Sequence, residues 1–112
     1  MWQTATFDIE TIKRELSWAN QRLKMNVLRV FLHIFVWKED KQIFFQRLDT
    51  FLRVASENNL RIMFVLFDEC WNADPKPGKQ PEPIKGVHNS QWVRCPGQTM
   101  LLDKSTWPMM AR

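Results

Sequence analysis

Tyrosine is absent from this chain, and its 112 residues hold only two cysteines, two histidines and three glycines. Cys70 and Cys95 form no CxxC pair and stand at no metal-ligand spacing, so no metal site and no cofactor are expected. The sequence leaves open whether the two thiols stay reduced or join across a loop. No run of 18 or more apolar residues occurs, so no membrane-spanning helix is expected. Met1-Trp2-Gln3-Thr4-Ala5-Thr6 lacks a basic region followed by an apolar stretch, so no signal peptide is visible, and the compartment stays open. The net charge of +4 is modest, and the basic residues are scattered rather than gathered into an arm. Nucleic acid is therefore not an expected partner.

Aromatic residues are plentiful by contrast: six Trp and eight Phe. A Trp excess suits either a large core or a surface on which sugars stack. The apolar fraction of 45% and charged fraction of 25% are ordinary for one small folded domain.

A strand-like segment is written twice. Asn26 opens Val27-Leu28-Arg29-Val30-Phe31-Leu32-His33, with Trp37 four residues later. Asn59 opens Leu60-Arg61-Ile62-Met63-Phe64-Val65-Leu66-Phe67-Asp68, with Trp71 three residues later. The offset of about 34 residues is the length of one strand-plus-helix unit. Near-continuous apolar runs predict parallel strands covered on both faces, over 26–33 and 61–67. Ile12, Leu16, Ala19 and Leu23 make one stripe of a helix over 8–24, with Asp8 as its N-cap. Ile43, Phe44, Leu48, Phe51, Leu52 and Ala55 predict a second helix over 38–58, stopped by Asn58-Asn59. From 72 to 106 there are five prolines and all three glycines, and no period survives, which predicts one long rim loop with Val87, Trp92 and Val93 as anchors. Trp107-Pro108 resembles a helix start. The order helix, strand, helix, strand, long loop is that of an α/β fold with right-handed parallel crossovers.

Several separated stretches, in order, carry a family resemblance. They are Met-Trp-Gln-Thr-Ala-Thr-Phe-Asp at 1–8, Met-Asn-Val-Leu-Arg-Val-Phe-Leu-His at 25–33 and Met-Phe-Val-Leu-Phe-Asp-Glu-Cys-Trp-Asn at 63–72. Gly-Lys-Gln-Pro-Glu-Pro at 78–83 and Gly-Val-His-Asn-Ser-Gln-Trp-Val at 86–93 follow. Together they resemble the cellulase-like glycoside hydrolases, (β/α)8 TIM barrels that use two Glu. The resemblance covers residues 1–108 and implies a partial barrel, with the first strand upstream of Met1 and the fourth to eighth strands downstream. It implies retaining hydrolysis of β-linked polysaccharide, one Glu protonating the leaving oxygen and the other forming the glycosyl-enzyme. The family's Asn-Glu-Pro motif is not in this sequence, and neither catalytic Glu is matched. The chain alone is therefore expected to be inactive. Lys24 stands where a Gly commonly turns into the strand, and Ile34, Gln91 and Cys95 also depart from the pattern.

Eight residues are candidates for carbohydrate binding. In the resembled family Arg29, within Asn26-x-x-Arg29, supports the nucleophile; in this chain it is expected to be an unpaired charge among apolar residues. His33 ends its strand, placed for a sugar hydroxyl or for the backbone. Asp68 sits correspondingly, to accept from a sugar or to cap a turn. Trp37 and Trp71 offer flat faces to sugars or to the core. His88, Asn89 and Trp92 form either a subsite or the packing of their own loop. Asp68 and Glu69 are adjacent and face opposite ways, a poor acid–nucleophile pair. A non-catalytic glycan-binding piece and a piece that self-associates through open sheet edges are the rival expectations.

Overall fold

In a computed structural model, residues 1–111 are described, and they form a mixed helix-and-strand fold around a two-stranded parallel sheet. Helix α1 spans Ile9–Gln21, strand β1 Val27–Phe31, α2 Ile34–Glu39, α3 Lys41–Glu57 and β2 Arg61–Val65. Two short helices follow, α4 Gln98–Leu102 and α5 Trp107–Met110, joined by a 3-10 turn at Lys104–Thr106.

Asp8 caps α1: its carboxylate accepts from the backbone N–H of Glu10 and Thr11, a contribution of about 1 kcal/mol. Ile12, Leu16 and Ala19 are buried as the stripe requires. Leu23 is not; it is exposed because α1 ends at Gln21 and Lys24 turns the chain at φ 57. That left-handed position is where glycine carries no steric cost.

The helix expected over 38–58 is α3, which begins three residues later at Lys41; the end of a separate short helix, α2, precedes it. Asp40 adopts an extended conformation (φ −154, ψ 102), ends α2 and caps α3 through a 2.9 Å bond from Ile43 N–H. A short acceptor side chain here competes with the backbone for its own hydrogen bonds, and the junction wins over good flanking helix formers. The start of α2 at Ile34 also shortens the first strand, because His33 is already that helix's N-cap. Helix α3 buries Phe44, Leu48, Phe51, Val54 and Ala55, while Ile43 and Leu52 lie outside the contact stripe. It ends as the Asn pair predicts. Asn59 has φ 55, with Asn59 N–H bonded to Ser56 O and Leu60 N–H to Ala55 O, the paired bonds of a Schellman stop.

The strands pair in register, Val27 with Arg61 through Phe31 with Val65, and Leu32 N–H continues the ladder to Val65 O at 3.0 Å. Leu28, Val30, Leu32, Ile62 and Phe64 pack against the helical core. The opposite face is open: Val27, Arg29, Arg61 and Met63 are exposed there. Strands expected to be covered on both sides are thus covered on one.

The core includes a residue that periodicity does not mark. Trp2 is 5% exposed and packs on Phe7, Phe44 and Phe51, at ring separations of 6.4, 6.3 and 5.3 Å. Its indole N–H donates to Phe31 O at 2.8 Å, tying the N-terminus to the end of β1. Arg47 holds the same segment, donating to Trp2 O and Thr4 Oγ1.

Candidate functional site at the strand ends

Past β2 the chain is stitched, not loose. Asp68 and Cys95 exchange both backbone hydrogen bonds at 2.9 Å, and Asn72 bridges to Val93. The Asn72 side-chain amide donates to Ser90 O and Trp92 O. Ser90, buried, accepts from Ile84 N–H through its hydroxyl at 2.7 Å. The long rim loop expected over 72–106 is tied by two bridges and holds, from Gln98, helix α4. Its prolines and glycines hide this, since isolated bridges leave no period in sequence.

This stitching carries Trp92 to the sheet. Trp92 meets Phe31 edge-to-face at 5.5 Å and stays 46% exposed. The Arg29 guanidinium lies over the other aromatic partner, 5.0 Å from the Phe31 ring centre. Arg29, Phe31 and Trp92 thus make one half-open platform at the C-terminal side of the strands. Arg29 is exposed, so it is no buried charge. With one sheet face open, its guanidinium keeps water, and the unpaired-charge liability expected of it does not exist.

His33 sits beside the platform with both ring nitrogens committed to backbone. Nδ1 accepts from Phe35 N–H at 3.3 Å, and Nε2 lies 3.1 Å from Arg94 O. An acceptor on one side and a carbonyl on the other assign the neutral Nε2–H tautomer. Of the two roles open to it, the structure places His33 in the backbone one. Burial lowers its pKa, and the Arg94 carbonyl offsets this in part. Glu39 and Lys76 line the same cavity of about 160 Å³. Because the folded pKa lies below 6.5, the unfolded chain binds the proton first. Stability from His33 is complete above about pH 6.5 and is lost as pH falls through the lowered folded value. Urea midpoints should drop between pH 7.5 and 5 in the parent, and less so in His33→Gln. Equal slopes in the two would contradict this role.

Asp68 also turns inward to its neighbours: its carboxylate accepts from the Cys70 thiol, whose pKa is pushed up to about 11 by burial first and then by Asp68. Cys70 and Cys95 are free thiols. Glu69 is ion-paired with Arg94 at 2.9 Å, and Arg94 also reaches Gln98.

The remaining candidates disperse. Trp37 lies within α2, packs against the core and carries Lys41 over its ring at 4.2 Å. It lines an apolar groove of about 270 Å³ with Leu32, Phe45, Phe67 and Met109. Trp71 is 57% exposed. His88 is exposed, and Asn89 takes the left-handed turn (φ 57) whose carbonyl receives Trp92 N–H. Asn89 therefore shapes the turn that presents Trp92. Phe31, Asn72, Ser90 and Arg94 were not legible as site residues; the sole hint was alternation, which puts Phe31 on the face of Arg29. Among the described residues, no group of three or more His, Cys, Asp or Glu could hold a metal, and no helix is long and apolar enough to cross a membrane. The chain matches no family model, no curated protein and no solved structure.

Proposed function

We propose that this chain is a carbohydrate-binding piece of a (β/α)8-barrel scaffold of the cellulase-like glycosidases, directed at β-linked polysaccharide and without hydrolytic activity of its own. The observation that carries the reading is the Arg29–Phe31–Trp92 platform at the strand C-terminal ends. Ligands of α/β folds lie at that end. A half-exposed indole packed against Phe31 offers its flat face to the C–H groups of a pyranose ring, and the guanidinium over Phe31 donates to hydroxyls.

The carboxylates present do not make a catalytic pair. Asp68 is occupied by Cys70 and Glu69 by Arg94. Purified chain should show no turnover of an aryl β-glycoside, since the two Glu by which the resembled family protonates the leaving oxygen and captures the sugar are not matched in it. Turnover abolished by Asp68→Asn or Glu69→Gln would contradict this. Binding is tested by titrating a β-1,4-linked glucose tetramer and following Trp fluorescence. Trp92→Ala should weaken it about tenfold, the worth of one aromatic stacking contact of about 1.4 kcal/mol.

A second reading, self-association, is favoured by one observation: Val27 and Met63 on the open sheet face, and Leu66 and Phe67 in the apolar groove, are each at least half exposed. Apolar area of this kind drives association. A sedimenting species that stays monomeric over a hundredfold dilution range would remove it.

A further inference from the structure

The open sheet face has a charge pattern that narrows the ligand. Alternation and register put Val27, Arg29 and Phe31 of β1 beside Arg61, Met63 and Val65 of β2. The two arginines are diagonal neighbours, one pleat repeat apart, roughly 6.6 Å along the strand direction. Both are exposed, and among the described residues neither takes part in an ion pair. The other cations near the site are differently placed. Arg94 is committed to Glu69, Arg47 to the Trp2 segment, and Lys41 to the Trp37 ring. Arg29 is also oriented, because its planar group lies over Phe31 with Trp92 on the same ring. Two guanidiniums on an aromatic and apolar floor, neither ion-paired with a carboxylate among the described residues, call for a ligand that brings its own carboxylates.

Resting on the carbohydrate reading above, we propose that this face prefers β-linked polysaccharide bearing uronic acids over its neutral counterpart. The sugar ring stacks on Trp92, and carboxylates of the sugar meet the forks of Arg29 and Arg61. Planar bidentate pairing with carboxylate is what a guanidinium supplies and an ammonium does not.

The test compares a β-1,4-linked glucuronate tetramer with the β-1,4-linked glucose tetramer by calorimetric titration, at low and moderate salt. The uronate should bind about tenfold more tightly at low salt, as charge-assisted bonds require. That preference should shrink several-fold by about 0.3 M salt, because the pairs are exposed. In the doubly changed chain, Arg29→Gln with Arg61→Gln, the preference should fall to near unity. Equal binding of the two tetramers by the parent overturns the uronate proposal and leaves glycan binding standing. Binding of neither overturns both. Poly-glutamate binding as tight as the uronate shows that the face reads charge alone, and overturns the sugar assignment. Since both side chains are exposed, the double variant should keep the parent's circular dichroism. The salt dependence of the unmodified chain gives an answer even if it does not.

Discussion

Trp2→Ala should unfold this chain or nearly so, with a loss of about 3–5 kcal/mol. Small domains hold only about 5–15 kcal/mol in all. The indole fills the space between Phe7, just ahead of α1, Phe44 and Phe51 of α3, and the end of β1. Its removal leaves a cavity that three rings cannot close together, and it orphans Phe31 O, which now receives the indole N–H. Trp2→Phe should recover much of the packing and none of that hydrogen bond. Denaturant melts of the two variants beside the parent check the order parent, Phe, Ala. A Trp2→Ala midpoint within error of the parent would mean that the N-terminal segment does not dock as described.

Gly97→Ala should cost about 2–4 kcal/mol, from backbone strain and overpacking together. Gly97 has φ 104, and a Cβ there would meet Pro75 Cδ at 2.8 Å. The ring cannot swing aside as a flexible chain end would. The residue lies two positions after Cys95 of the Asp68–Cys95 bridge and opens α4, so the strain falls on the stitch that holds Trp92. Gly86 is the internal control. It also has positive φ (80), but its added Cβ would meet nothing within 4 Å. Ala at 86 should therefore cost only the conformational part. Equal melting losses at 86 and 97 would show that Pro75 does not pack against Gly97.

Much of the scaffold was legible because its signals are local. Asp8 and Asn59 announce a helix start and stop through their own side-chain and backbone chemistry, and the two apolar runs announce strands. What escaped has non-local causes. Trp2 is core through residues from three separate stretches of the chain, at Phe7, at Phe31 and along α3. Asp40 breaks a helix where every neighbour tolerates one. Arg29 reads as a buried charge only if something covers the second face of the sheet. The eight candidate residues divide on the same ground. Arg29 and Trp92 share one neighbour, the Phe31 ring. His33, Asp68 and Asn89 hold backbone, Trp37 packs inward, and Trp71 and His88 stand apart in exposed positions.

Glycan binding at the Phe31–Trp92 platform, proposed above, can be read at the tryptophans themselves. The most direct measurement is the set of six indole N–H signals in a proton–nitrogen correlation spectrum, assigned by single Trp→Phe changes, during titration with the β-1,4-linked glucose tetramer. The Trp92 signal should move in proportion to saturation, while Trp2, buried and bonded to Phe31 O, stays in place. A spectrum in which Trp92 is unmoved, or in which only Trp37 in its apolar groove responds, would contradict the account.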